Sequence, residues 1–262
     1  MRTLECVNAS ASPLQGNLSE NPGFSPLPER RRIRTLEEVN PPLDTLSPHS
    51  PESLLPVLAP DAVHDLRGHK IDELRYPAMT ALVVAGIPGA GKSTVLRRFF
   101  GATTESEDPS CGPAGSVVLD SLQARNRWRH RLDWLPYTLW RPVVHVAHFA
   151  GIRAALRDTD GPVVIHDCAT FGWARRMISR WAAEYGRELH VVLVDVPAVV
   201  ARAGQHARGR RSNRMTFTLH CFRWQRLMER LAAGGNLRPA PASLVIVDRS
   251  NVNQLSRITF AA

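Results

Sequence analysis

Nine consecutive residues constrain this chain more than any other segment: Gly86-Ile87-Pro88-Gly89-Ala90-Gly91-Lys92-Ser93-Thr94. The first eight fit G-x-x-x-x-G-K-[ST] at every position. An apolar run, Ala81-Leu82-Val83-Val84-Ala85, precedes them, and a helical stretch over residues 93–100 follows, which is the strand-loop-helix context the pattern needs. Glycines let the backbone turn tightly and aim its N–H groups at phosphate oxygens with no Cβ in the way. The N-terminus of the following helix adds the positive end of its dipole. Lys92 then reaches the β- and γ-phosphates, and the Ser93 hydroxyl ligates Mg²⁺. The segment from Gly86 to Thr94 is therefore expected to bind a nucleoside triphosphate, with ATP and Mg²⁺ as the cofactors.

From residue 80 onward the chain alternates between short apolar runs and helical stretches. Besides 81–85, the runs are 116–119, 162–165, 189–194 and 243–247. All are β-branched and apolar on both faces, as strands buried in a parallel sheet are. Pro142 is placed to open a helix over 143–157 as its first residue. Residues 174–185 run amphipathically into Gly186. Pro197 starts a further helix, and residues 217–233 stop at Gly234-Gly235. This order predicts an α/β fold with helices on both faces of the sheet.

Residues 1–60 differ in kind. They are rich in Pro, Ser, Asn and Glu and lack hydrophobic periodicity, so burial cannot offset their ordering entropy. The expected division is a largely disordered extension over 1–78, with a short ordered segment near 61–78, and a nucleotide-binding domain over 79–262. Charge divides similarly. Residues 1–77 carry 8 basic and 11 acidic side chains; residues 78–262 carry 25 and 13, a net of +12. Such a field suits a polyanionic ligand, a nucleotide or a nucleic acid, and equally fits a solvated arginine-rich surface. The four cysteines, Cys6, Cys111, Cys168 and Cys221, show no paired spacing, so reduced thiols are expected. The N-terminus has no signal-peptide core, and no apolar run is long enough to span a bilayer, so the chain is expected in the cytoplasm.

Acids at strand ends supply the remaining candidates, because ligands in such sheets sit at the carboxyl ends of the strands. Asp167 closes the run Val163-Val164-Ile165-His166-Asp167 and is the second expected Mg²⁺ ligand beside Ser93. Cys168 follows it, where a hydrolytic motor usually carries a water-activating Glu. Asp120 ends the second run. It is a candidate base for an acceptor hydroxyl, and it also fits a helix N-cap. Arg125, Arg127 and Arg129 fit either an anionic substrate group or a solvated helix face. The cluster Arg202, His206, Arg208, Arg210, Arg211 and Arg214 is placed to form a lid that neutralises transition-state charge. Within it Arg208 and Arg210 are the catalytic candidates and Arg211 and Arg214 the nucleotide-binding ones. His145 and His148, three residues apart, are compatible with a metal pair, but no further ligands accompany them.

Together, the 86–94 loop, the Asp120 segment, Val163-Val164-Ile165-His166-Asp167-Cys168-Ala169-Thr170 with Arg175-Arg176, and Arg202 with Arg208-Gly209-Arg210 resemble the AAA-type, zeta-toxin-like and polynucleotide-kinase-like small P-loop kinases. The nearest likeness is to actinobacterial "AAA family ATPase" proteins. The resemblance covers residues 80–262. It implies a three-layer P-loop NTPase sandwich: a five-stranded parallel sheet in the kinase order 2-3-1-4-5 with an arginine-rich lid. The acidic-then-arginine pattern usual after strand two reads here as Asp120-Ser121-Leu122-Gln123-Ala124-Arg125, a departure at the acceptor site. Two functions stay open at this stage. One is an ATP-dependent kinase acting on a small molecule or nucleic-acid end. The other is an ATPase or nucleotide-gated regulatory or nucleic-acid-binding protein.

Overall fold

The computed structural model describes residues 57–103, 105–167, 171–206 and 214–261. The extension over 1–56 lies outside them. The order of elements is β1 (Val57–Leu58), β2 (Val63–Asp65), β3 (Glu73–Pro77), β4 (Thr80–Ala85), α1 (Lys92–Phe100), β5 (Ser110–Cys111), a 3₁₀ turn (Pro113–Gly115), β6 (Val117–Leu119), α2 (Ser121–Leu132), α3 (Tyr137–Asp158), β7 (Val163–Asp167), α4 (Gly172–Glu184), β8 (Glu188–Val194), α5 (Ala198–His206), α6 (Arg214–Ala232), β9 (Ser243–Val247), α7 (Arg249–Gln254) and β10 (Arg257–Ala261).

Two sheets form. The larger has seven strands in the order β2-β9-β8-β4-β7-β6-β5. Neighbours pair in parallel except β5, which runs antiparallel to β6. All six residues of β4 are buried, so the strand that feeds the phosphate loop is held from both sides and both faces. The five apolar runs are all strands of this sheet. The count differs from five because β2 and β5 cap the edges. With two and three residues and exposed or half-buried side chains, they give no apolar run to read. The second sheet, β1-β3-β10, is parallel and joins residues 57–58 and 73–77 to residues 257–261. Residues 57–77 thus supply three strands to the same compact unit as the phosphate loop.

Helix boundaries follow local chemistry. The Asp120 carboxylate accepts the Leu122 N–H at 3.0 Å while the Gln123 side chain accepts the Asp120 N–H at 2.9 Å, a reciprocal cap that starts α2. Helices α4 and α6 end just ahead of Gly186 and Gly234. Helix α3 departs from expectation. It begins at Tyr137, and Pro142 lies inside it. An interior proline forfeits one helix hydrogen bond, but packing outweighs that loss. Trp140 and Val144 bury against Ala124, Trp140 Nε1 donates to Leu135 O at 3.2 Å, and Tyr137 meets the Trp140 ring edge-on at 4.9 Å. Among the described cysteines, Cys221 is a half-buried free thiol.

Candidate active site

The loop from Gly86 to Thr94 connects β4 to α1 and is tightened by its own backbone, with Ala90 N–H donating to Ile87 O at 3.0 Å and Val95 N–H to Gly91 O at 3.1 Å. Gly89 and Gly91 have φ of 93° and 107°, a region open to glycine and strained for other residues. Lys92 is 7% exposed. Its Nζ donates to Gly86 O at 2.8 Å and to Ile87 O at 3.1 Å, so the ammonium is folded over the concave side of the loop.

Helix α5 lies directly against this loop. A Cβ on Gly89 would run into the Ala201 carbonyl, and a Cβ on Gly204 would sit 3.0 Å from Gly89 O. Gln205 Nε2 donates to Pro88 O at 2.8 Å. The expected lid residues Arg208, Arg210 and Arg211 lie outside the described residues, as do Cys168 and Thr170. Arg214 is the exposed first residue of α6, and Arg202 stacks over Phe217 at 5.0 Å.

Strand pairing fixes where the acids fall. Ala85, just before the loop, is in register with Asp167, which brings that residue beside the start of the loop. Hydroxyl and carboxylate oxygens are hard donors, and Mg²⁺ is typically held by one or two such protein groups with phosphates and water completing the shell. Ser93 and Asp167 fit that role. Among the described residues no three His, Cys, Asp or Glu side chains converge as a metal cage.

Leu119 is in register with Ile165, so the next residues, Asp120 and His166, stand side by side. His166 Nδ1 lies 2.8 Å from Asp120 Oδ1, an ion-pair distance, although the approach is off the line of a directed hydrogen bond. Burial pushes the Asp120 pKa up; the His166 charge, its contact and the Leu122 amide outweigh that and leave it well below the usual carboxylate range. His148, on α3, is held at about 4 mainly by burial, against the pull of Asp120 and Asp167. Burial, then the charges of Lys92, Arg223 and Arg141, also lower the pKa of His220, with Asp167 opposing.

Asp120 and His148 line a shallow cleft between α2 and α3. His148 and His166 were not assigned to the site by sequence reasoning. The readable signal was the adjacency of the second and third apolar runs, which makes the residues after Leu119 and Ile165 neighbours. The three candidate arginines of α2 are engaged locally: Arg125 stacks over Tyr137 at 4.4 Å, Arg127 donates to Asp108 Oδ1 at 2.9 Å, and Arg129 lies 3.6 Å from Asp133. These contacts accord with a helix-surface role.

The family profile described as "AAA domain" matches residues 82–232, more than half of the chain. This chain belongs to the AAA domain family. The matched span of the AAA domain runs from β4 through α6 and includes the loop, Asp120 and Asp167. No curated relative matches the chain significantly. Among solved structures, the AAA domain is similar to a "putative kinase" from Chloroflexus aurantiacus (15% identity, TM-score 0.42, covering 65% of this chain and 88% of that one). It is also similar to a tunicamycin resistance protein from Deinococcus radiodurans (17% identity, TM-score 0.35, covering 56% and 80%). Neither likeness carries an argument about activity. Among the described residues, no helix of this AAA domain is long and apolar enough to cross a membrane.

Proposed function

We propose that this protein is an ATP- and Mg²⁺-dependent phosphotransferase acting on a hydroxyl of a small molecule or nucleic-acid end, with a narrower kinship to the actinobacterial members of its family. The observation that carries the reading is the second cleft. The Asp120 carboxylate lines a cleft whose walls include no residue of the phosphate loop, at the carboxyl end of a strand where ligands gather.

In this reading the loop amides and Lys92 Nζ hold the phosphates. Ser93 and Asp167 hold Mg²⁺, which when bound neutralises charge on the β- and γ-oxygens. Asp120 orients the acceptor hydroxyl. As that oxygen bonds to the γ-phosphorus, the bridging P–O bond breaks, ADP leaves, and the hydroxyl proton passes to the Asp120 carboxylate. A carboxylate with a lowered pKa suits a loose transition state, in which the proton leaves late.

The test is ADP release with Mg²⁺, in the presence and absence of pooled metabolites and nucleic-acid ends. Lys92→Ala is expected to abolish acceptor-stimulated release. Asp120→Asn keeps the helix cap and removes the basic carboxylate, so turnover should fall about 10²-fold or more with nucleotide affinity retained. Wild-type turnover in Asp120→Asn overturns the base assignment. Release that no pool stimulates overturns the transfer reading.

A further inference from the structure

Helices α3 and α6 are each apolar on two sides. One side of α3 buries Trp140, Val144, His148 and Ile152, and one side of α6 buries Phe217, His220, Trp224 and Leu227. A single apolar stripe is enough to hold a surface helix on its sheet. Yet α3 also exposes Leu139, Val143 and Val146, and α6 exposes Met215, Leu219 and Phe222. Both triplets are spaced i, i+4, i+7, so each forms a second stripe along its helix. These side chains stand proud of the surface: Leu139, Val146 and Met215 are 65%, 69% and 81% exposed.

The two stripes belong to one face. Phe149 of α3 meets the half-exposed Trp173 of α4 at 5.1 Å, and Phe171, beside Trp173, meets His220 of α6 at 5.6 Å. Each of α3, α4 and α6 leads to the start of the next strand, β7, β8 and β9. Their N-terminal halves therefore stand at the carboxyl end of the sheet, where ligands gather. Among the described residues, ten of the thirteen exposed large apolar side chains lie in the α2–α3 turn or in the N-terminal halves of α3 to α6. Apolar surface gathered in this way marks a contact site for a protein or a membrane.

Charge narrows the occupant. Helices α3, α4 and α6 carry ten arginines against three acids, Asp158, Glu184 and Glu229. Arg223 and Arg226 lie over the rings of Phe171 and Phe222, at 5.0 and 5.2 Å, rather than on carboxylates. Arg176 is exposed as well. In a symmetric dimer a second copy would present the same face, so arginine would meet arginine. A nucleic acid brings negative charge, but leucine, valine and methionine offer its bases no ring to stack on. A fluid anionic bilayer supplies both needs. Separate protruding apolar side chains enter its interface with no shaped groove, and the arginines stay with the lipid phosphates.

We propose that the N-terminal halves of α3, α4 and α6 form a docking face for the surface of an anionic bilayer, which no part of that face crosses. The proposal is independent of the phosphotransferase reading.

The test floats the full chain with vesicles of phosphatidylcholine alone or mixed with phosphatidylglycerol. The protein is expected on the anionic vesicles only, and raising salt from about 0.1 to about 0.5 M should release it. Val146→Glu and Leu219→Glu place a charge on each stripe and should each weaken binding about tenfold or more. Both positions are exposed, so the melting temperature and the affinity for an ATP analogue should not change. Arg176→Gln and Arg226→Gln should each cost about fivefold. Met79→Glu changes an exposed apolar residue between β3 and β4 and should bind as wild type does. Anionic vesicles that float without the protein, equal binding to neutral vesicles, or wild-type binding by Val146→Glu and Leu219→Glu would each overturn the proposal. Single-stranded DNA retained by the wild type and lost by those two variants, with vesicles unbound, would replace the lipid with nucleic acid.

Discussion

Arg187 shows how much one buried side chain can hold. Its guanidinium donates from Nε to Leu156 O and from Nη1 to Gly161 O, both at 2.7 Å, and from Nη2 to Thr159 O. These carbonyls sit at the end of α3 and in the turn that leads to β7. A helix C-terminus leaves its last carbonyls without internal partners and carries the negative end of the dipole. One planar fork answers both needs. Burial lowers the pKa of this arginine, with Asp160 opposing, and an arginine still stays charged. Arg187→Ala is expected to cost about 2–4 kcal/mol, because several buried acceptors lose their donor at once. Arg187→Lys should recover only part of that, since a single ammonium does not span all three sites. Urea unfolding monitored by circular dichroism reads both changes.

At the scale of elements, the contact that organises the site is the seat of α5 on the phosphate loop. Gly89 combines a left-handed backbone with a Cβ direction blocked by the Ala201 carbonyl, whereas a Cβ on Gly91 would point into open space. Gly89→Ala should therefore displace α5 as well as strain the loop, costing more stability than Gly91→Ala, which pays about 1–2 kcal/mol of backbone strain alone. Thermal melts of the two variants, with and without ATP, give the order. The loop itself was legible in the sequence because its pattern specifies the strand before it and the helix after it. The strands of the main sheet beside it were legible because burial on both faces leaves an unbroken apolar run. Strands β2 and β5 were not, because they are short, nor was β10, whose mixed exposed and half-buried side chains leave no apolar run; their partners are chosen by tertiary contact rather than by side-chain period. The start of α3 was misplaced because Pro142 looks like a helix opener, and only the packing of Trp140 and Val144 shows why the helix tolerates it. The Asp120–His148 cleft needed the third dimension, since its walls come from helices joined by a turn the sequence leaves unmarked.

Across the whole molecule, the two ends of the described chain are tied together by Glu73. Its side chain is 3% exposed. It accepts from Thr259 Oγ1 at 2.7 Å, Arg257 Nε at 2.6 Å and Arg75 Nε at 3.0 Å. The Thr259 hydroxyl and then the two arginines bring its pKa from 4.5 to about 2, against the opposing effect of burial. A folded-state pKa below the unfolded one contributes stability that is complete above about 4.5 and is lost as pH falls through about 2. The urea midpoint of the wild type should accordingly drop across that window, and the drop should be smaller in Glu73→Gln; equal slopes would contradict the assignment. The same linkage bears on how the chain is made. Strand β3 leaves the ribosome first, whereas Arg257, which lies 184 residues further on, follows much later. The phosphate loop and most of the main sheet have emerged by then, so nucleotide can be held before the second sheet closes. Throughout that interval the Glu73 carboxylate lacks two of its three partners. Strand β10 thus acts as a latch set only after the main sheet has emerged, and that step carries the entropy of closing a loop of 184 residues.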